Sequence, residues 1–185
     1  NNVLFYVQWP GQYMFSELAP GSTTPDRSID ERTSGMMGGG LGSIGFVPPG
    51  LAGSGGLRGL IQSEGYWYDI DLASDGSLYS IASSTMTTTL PHWPGGFAYV
   101  PTGSPDFPNP SLVVAEWDNT TVAAYDVDAQ GDPMVSTRRP FIDNFDKPWG
   151  AYFEPRTGDY FFLSWGAGAQ DQVFVVQGFV PPVIF

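Results

Sequence analysis

The sequence predicts an all-β protein, arranged as a propeller-like array of four-stranded antiparallel blades. Glycine and proline are abundant, with 24 and 17 residues among 185, as expected where tight turns join many short strands. Apolar runs suited to strands alternate with short polar turns along most of the chain. The runs also recur with a period close to 54 residues, which indicates internal repetition.

The first strand of each predicted repeat consists of a small residue, an apolar run and a closing proline. Residues 43–48, 96–101 and 150–155 share this pattern, and their prolines are 53 and 54 positions apart. An unbroken apolar run predicts a strand buried on both faces, and the proline predicts the turn that ends it.

The remaining strands of each repeat follow short turns. Second strands are predicted at residues 3–9, 57–63, 112–117 and 160–165, and third strands at residues 12–18, 66–72, 122–128 and 172–179. The polar or glycine-containing turns between them are typical of antiparallel hairpins. Fourth strands are predicted at residues 77–81 and 134–137.

Four strands in about 50 residues are typical of a propeller blade. A β-sandwich is the alternative, but the internal period favours blades. Residues 19–41, rich in Gly, Ser and Thr, are predicted to form a long mobile loop. We interpret the chain as a single domain, residues 1–185, with an incomplete first blade and loop at 1–42 and blade repeats at 43–95, 96–149 and 150–185.

The array holds about three and a half to four repeats, so it is either a small closed ring or part of a larger propeller. A closed ring requires residues 1–18 to pair with strands from residues 171–185. Without that pairing, strand edges stay open and a partner chain is expected to cover them. In both cases the apolar residues 180–185 are predicted to be buried.

The charge and residue content exclude several function classes. Acidic residues outnumber basic ones by 19 to 7, giving a net charge of −12, so phosphate-rich partners such as nucleic acids or anionic membranes are disfavoured. Cysteine is absent, which excludes disulfides and thiol chemistry. No stretch approaches the roughly 18 apolar residues of a membrane span. Any signal peptide is expected to have been removed, because residues 1–20 lack a basic segment.

One acidic segment has the oxygen-ligand spacing of a calcium loop. The candidate metal ligands are Asp126, Asp128 and Asp132. A similar spacing of acidic residues occurs earlier in the chain, at Asp69, Asp71 and Asp75. The bidentate glutamate that closes an EF-hand loop is missing. The alternative is a strand end followed by an aspartate-containing turn.

Catalytic residues are scarce. His92 is the single histidine and lies in the turn PHWP, and no Gly-x-Ser-x-Gly sequence is present. Glu116 and Glu154 could form a carboxylate pair for glycoside hydrolysis. Tryptophans could stack on sugar rings, although packing between blades is the simpler interpretation; these are Trp9, Trp67, Trp93, Trp117, Trp149 and Trp165.

Five segments carry a family resemblance that covers about three quarters of the chain. They are GFAYVPTGSP at 96–105, VAAYDVDAQGDP at 122–133, STRR at 136–139, PRTGD at 155–159 and VVQGFVPP at 175–182. The chain resembles bacterial exported propeller-like proteins that carry a PEP-CTERM sorting signal. The resemblance implies export and sorting at the cell envelope. The sorting signal itself is not found after Phe185, which fits processing or truncation.

These observations predict a non-catalytic extracellular structural or interaction protein of a bacterial cell surface or matrix. Its expected partner is a further copy of itself, joined through strand edges, or another surface component. One alternative is a calcium-dependent, lactonase-like propeller hydrolase with Glu116, Asp126 and Asp128 as its first candidate acidic residues. The other alternative is a carbohydrate-binding module that uses exposed tryptophans.

Overall fold

The structure is a computed structural model that describes residues 3–8, 13–36, 39–165 and 171–179. Strands make up 53% of the described residues. The helices among these residues are two short 3-10 turns, Glu31–Ser34 and Val135–Thr137. The prediction of an all-β protein is therefore confirmed. No helix in the described part of the chain is long and apolar enough to cross a membrane.

The strands form four antiparallel sheets, in which strands adjacent in sequence are also neighbours in space. Sheet I contains β1 (Leu4–Gln8), β2 (Met14–Leu18) and β3 (Arg27–Asp30). Sheet II contains β4 (Leu41–Phe46), β5 (Leu57–Ile61), β6 (Tyr66–Ser74) and β7 (Tyr79–Thr89). Sheet III contains β8 (Pro94–Val100), β9 (Ser111–Glu116), β10 (Thr121–Asp126) and β11 (Arg139–Ile142). Sheet IV contains β12 (Pro148–Glu154), β13 (Asp159–Ser164) and β14 (Gln172–Val176).

Sheet III lies between sheets II and IV. Leu112 and Val114 of β9 belong to the apolar cluster shared with sheet II, whereas Val113 belongs to the cluster shared with sheet IV. This alternation follows from the two-residue period of a strand. A third apolar cluster, around Phe15 and Leu41, joins sheets I and II. The sheets therefore pack in chain order, each against the next.

The first strands of sheets II, III and IV pack against one another, β4 on β8 and β8 on β12. The closest approach is at Gly95 and Gly96 of β8. A Cβ added to Gly95 would lie 2.3 Å from the carbonyl oxygen of Trp149, and one added to Gly96 would lie 2.5 Å from the nitrogen of Ala151. Glycine is required here because the two backbones are almost in contact.

Three local predictions are wrong. Residues 134–137 do not form a strand: Val135–Thr137 is a 3-10 turn, because the Thr137 hydroxyl donates to the Met134 carbonyl oxygen at 2.7 Å. The fourth strand of sheet III is instead β11. Residues 19–41 are not one loop, since they contain β3 and the 3-10 turn Glu31–Ser34. Burial on both faces holds for β8 but not for β4 or β12, which are mostly half-exposed.

The two ends of the array remain unpaired within the described residues. β1 pairs with β2 alone, and β14 pairs with β13 alone. Pairing between residues 3–18 and 171–179 is therefore not seen. The predicted burial of residues 180–185 lies outside the described residues. Compared with sheets II and III, sheet I has no described counterpart of β4, and sheet IV has none of β7.

Candidate functional site

The predicted calcium ligands Asp126, Asp128 and Asp132 bind separate sets of partners. Asp126 ends β10, where its carboxylate accepts hydrogen bonds from Arg139 Nη1 at 2.8 Å and Asn109 Nδ2 at 2.8 Å. Burial opposes ionisation of Asp126, but these hydrogen bonds outweigh it and lower the pKa.

The other two carboxylates stabilise the turn after β10 and its contact with sheet II. Asp128 Oδ1 accepts the backbone N–H groups of Gln130 and Asp132 at 2.9 and 3.0 Å. Asp132 Oδ1 accepts from Arg58 Nε at 2.6 Å and from Trp67 Nε1 at 3.0 Å. In the described part of the chain, no group of three or more His, Asp or Glu side chains could hold a metal ion. Calcium binding stays a prediction.

Arg58 is the centre of a buried polar cluster between sheets II and III. Its side chain is 2% exposed, and besides Asp132 it contacts Asp69 and donates to the Gln130 carbonyl oxygen at 2.7 Å. Burial raises the pKa of Asp69, although the Arg58 guanidinium acts in the opposite direction. Because the cluster joins two sheets, we interpret its role as structural, although Asp69 at its margin is 42% exposed.

The predicted catalytic carboxylates do not converge. Glu116 is fully buried and accepts from the Tyr125 hydroxyl at 2.6 Å and from Arg138 Nε at 2.8 Å. Antiparallel pairing of β9 and β10 places Glu116 and Asp126 at opposite ends of sheet III. Glu154 likewise ends β12, at the far end of sheet IV from Pro148. Neither the Glu116–Glu154 pair nor the acidic cluster of Glu116, Asp126 and Asp128 is formed.

The outer strand of sheet IV exposes an apolar surface that the sequence did not identify. Val173 and Val175 on one face of β14 are 60% and 50% exposed, and Phe174 on the other face is 41% exposed. Phe174 is in partial contact with Phe145, at 4.5 Å between ring centroids. We call Val173, Phe174 and Val175 the β14 surface. The sequence predicted a third strand here without saying how exposed it is, and the pairing pattern shows that the strand lies at an edge among the described residues.

A second apolar surface lies at the opposite end of the array. A groove of about 500 Å³ between sheets I and II is lined by both polar and apolar groups, among them Asp71. Its apolar lining includes Val3, Phe5, Phe46, Leu72 and Tyr79. Phe46 is 47% exposed, and the neighbouring Leu4 on β1 is 63% exposed. The two ends of the array thus each carry apolar side chains beside a strand edge that no described strand pairs with.

Four of the tryptophans gather where β8 and β12 begin. We call this group the tryptophan end: Trp93, Trp117, Trp149 and Trp165, together with Lys147. Trp93 and Trp117 are stacked, with ring centroids 5.9 Å apart and an angle of 12° between planes. Trp149 and Trp165 meet edge to face at 4.7 Å. Trp67 is fully buried and takes no part.

His92 lies beside the tryptophan end. Its Nδ1 is 3.5 Å from Asp118 Oδ1, and both side chains are about two-fifths exposed, at 40% and 43%. A catalytic triad also requires a nucleophile that donates its proton to the histidine, and among the described residues the structure shows the His92–Asp118 contact alone. The recurrence of tryptophan at positions 117 and 165, at the ends of successive second strands, was the sequence signal for this group.

Comparison of the chain with protein-family models and with curated proteins finds no match. The resemblance to exported propeller-like proteins therefore stays a prediction.

Proposed function

We propose that the chain is a non-catalytic, extracellular structural or interaction protein of a bacterial cell surface or matrix. It assembles with further copies of itself through the open edges of its terminal sheets. The observation that carries the proposal is the β14 surface, an apolar strand whose outer edge is unpaired among the described residues.

The same proposal interprets the four sheets as blades of a propeller-like array. Each sheet is a meander of consecutive strands, and the first strands of sheets II, III and IV pack side by side. Sheets I and IV show no extensive contact among the described residues. Among the described residues, both ends of the array have a strand edge without a partner, which supports assembly with further copies.

Soluble proteins protect edge strands with charge, proline or a covering segment. Residues 172–176 contain neither a charged residue nor proline. The outer strand of sheet II is the internal contrast, because β7 exposes serine and threonine at Ser83 and Thr85. Burying each exposed side chain of the β14 surface would contribute about 1 kcal/mol or more. The edge is therefore suited to pairing.

The expected partner is the sheet I end of a second copy. There β1 has an unpaired edge beside the apolar groove that contains Phe5 and Phe46. Contact of β14 with that end joins two different surfaces, so it repeats from copy to copy and generates rings or filaments. A strand-to-strand contact also supplies backbone hydrogen bonds that do not depend on the sequence of the partner strand.

The extracellular assignment is supported by the acidic composition and by the family resemblance of residues 96–182. The hydrolase alternative is less well supported, because Glu116 and Asp126 lie at opposite ends of sheet III. The carbohydrate-binding alternative uses a different surface, the tryptophan end.

Sedimentation velocity of the full chain over a series of concentrations tests the assembly. We expect the native chain to form oligomers, and the double variant Val173→Lys, Val175→Lys to remain monomeric, because two ammonium groups on one face of β14 oppose strand addition. The matched control Ser83→Lys, Thr85→Lys places the same charges on β7 and should still associate. A native chain that stays monomeric, or a β14 variant that associates like the control, would overturn the proposal.

A further inference from the structure

We propose that the tryptophan end is a carbohydrate-binding platform, on which pyranose rings stack against the indoles of Trp93 and Trp165. The proposal does not depend on self-assembly, because it uses the ends of β8, β9, β12 and β13 rather than the edge of β14.

Strand pairing builds one half of the platform in each of two sheets. In sheet III, Pro94 pairs with Glu116, so Trp93 and Trp117 follow as neighbours, and the Trp117 N–H donates to the Trp93 carbonyl oxygen at 3.3 Å. In sheet IV, Pro148 pairs with Ser164. The Trp165 N–H correspondingly donates to the Lys147 carbonyl oxygen at 2.9 Å. In both sheets, the residue after the second strand thus donates its backbone N–H to the residue before the first strand.

Lys147 connects the two halves. Its Nζ lies 4.0 Å from the centroid of the Trp117 ring, which covers one face of that indole with a cation. Gly95 lies against the Trp149 carbonyl oxygen, so the starts of β8 and β12 are adjacent. The halves therefore form one continuous surface rather than two separate tryptophan pairs.

The outer indoles are the exposed ones. Trp93 is 51% exposed and Trp165 is 49% exposed, although both are large aromatic residues that favour burial. Trp117 and Trp149 are half-buried beneath them. Trp117 packs against Trp93 with ring centroids 5.9 Å apart, and Trp149 packs against Trp165 at 4.7 Å.

The backbone holds this arrangement at a conformational cost. The residue before the first strand has positive φ in three sheets: 87° at Gly40, 47° at Trp93 and 48° at Lys147. Glycine tolerates this conformation in sheet II, but tryptophan and lysine do so only with strain. His92 also has positive φ, at 67°. Consecutive strained residues that present an exposed indole are typical of a functional site.

Carbohydrate is the ligand that matches this chemistry. Indole faces bind the C–H faces of pyranose rings, while the exposed His92 and Asp118 beside them can hydrogen-bond to hydroxyl groups. Trp93 and Trp165 are each about half exposed, which suits stacking on the rings of a polysaccharide. A nucleic acid is disfavoured by the net charge of −12. A cationic ligand is disfavoured because the Lys147 ammonium already lies on Trp117.

An array of neutral and uronate-bearing hexasaccharides tests the proposal, followed by calorimetric titration of each glycan that binds. We expect saturable binding that Trp93→Ala and Trp165→Ala each weaken about tenfold, from the loss of one stacking contact. The control Tyr152→Ala removes another exposed aromatic side chain, 56% exposed, and should leave the affinity unchanged. Trp93→Gly relieves the strained φ and provides a folded variant if Trp93→Ala is unstable.

The variant Lys147→Gln distinguishes the two glycan classes. Because it removes a positive charge, it should weaken the binding of uronate glycans more than that of neutral ones. The titrations are repeated in the Val173→Lys, Val175→Lys background, so that failure of assembly and failure of glycan binding can be distinguished. Absence of binding to both glycan classes, or binding that neither tryptophan variant weakens, would overturn the proposal.

Discussion

Arg58 Nε lies 2.6 Å from Asp132 Oδ1, although the two residues are 74 positions apart in the sequence. Arg58 is on β5 of sheet II, and Asp132 follows β10 of sheet III. The pair is buried, and Asp132 also accepts the indole N–H of Trp67 at 3.0 Å. One carboxylate thus links two sheets that the backbone hydrogen-bond ladders do not connect.

Replacing Arg58 should strongly destabilise the fold. Arg58→Ala leaves the carboxylate of Asp132 buried without its cation, so we expect the free energy of unfolding to fall by about 3–5 kcal/mol. Urea denaturation checks this. The control is Arg32→Ala, which removes the exposed partner of Asp30 and should have a much smaller effect, because solvent screens an exposed ion pair. Equal effects of the two substitutions would contradict a structural role for the Arg58 cluster.

Glu31 should make stability depend on pH. Its side chain is buried, with Oε2 accepting the Leu41 N–H at 2.7 Å and Oε1 without a partner among the described residues. Burial raises the pKa of this carboxyl to about 7. The folded state therefore binds the proton more tightly than the unfolded state. The contribution of Glu31 to stability is most favourable below pH 4.5 and is lost as pH rises towards 7.

Glu31→Gln removes this titration while keeping an oxygen acceptor. At pH 8 the variant should be more stable than the native chain by about 2–3 kcal/mol, and at pH 4 the two should agree within about 1 kcal/mol. Denaturant unfolding at a series of pH values measures the difference. A constant difference across this range would show that the Glu31 carboxyl does not titrate as expected.

The contact between β8 and β12 should not tolerate a side chain at Gly95. A Cβ there would lie 2.3 Å from the Trp149 carbonyl oxygen, which is backbone and cannot move aside alone. We expect Gly95→Ala to lower the free energy of unfolding by about 2 kcal/mol or more. Gly103→Asn is the control, because no atom lies within 4 Å and asparagine tolerates positive φ. Thermal unfolding of both variants separates the two cases.

Calcium should have little effect on stability. Asp126, Asp128 and Asp132 already accept hydrogen bonds from Arg139, backbone N–H groups and Arg58 respectively. Binding an ion would require those hydrogen bonds to break, because Ca²⁺ needs six to eight oxygen ligands. We expect the same Tm in millimolar CaCl₂ and in EDTA. A rise of several degrees with calcium that Asp128→Asn abolishes would instead establish the site predicted from the sequence.

The sequence by itself determined the all-β class and the positions of most strands. The continuous apolar runs of β9 and β10, the turn residues and the recurring prolines at 48, 101 and 155 are local features. Such features predict the local backbone conformation, because they depend only on residues that are near one another in the sequence. The errors at residues 134–137 and 19–41 arose where side-chain hydrogen bonds or long-range packing outweighed local preference.

The tertiary structure decided which of these strands and side chains are available for function. β14 has the composition of a core strand, yet it is exposed because no described strand pairs with its outer edge. Trp67 and Trp93 are the same residue type, but one is fully buried and the other 51% exposed. Exposure and charge pairing depend on contacts between residues far apart in the chain. A local pattern carries no information about those contacts, and the Arg58–Asp132 pair shows how far apart in sequence the partners can be.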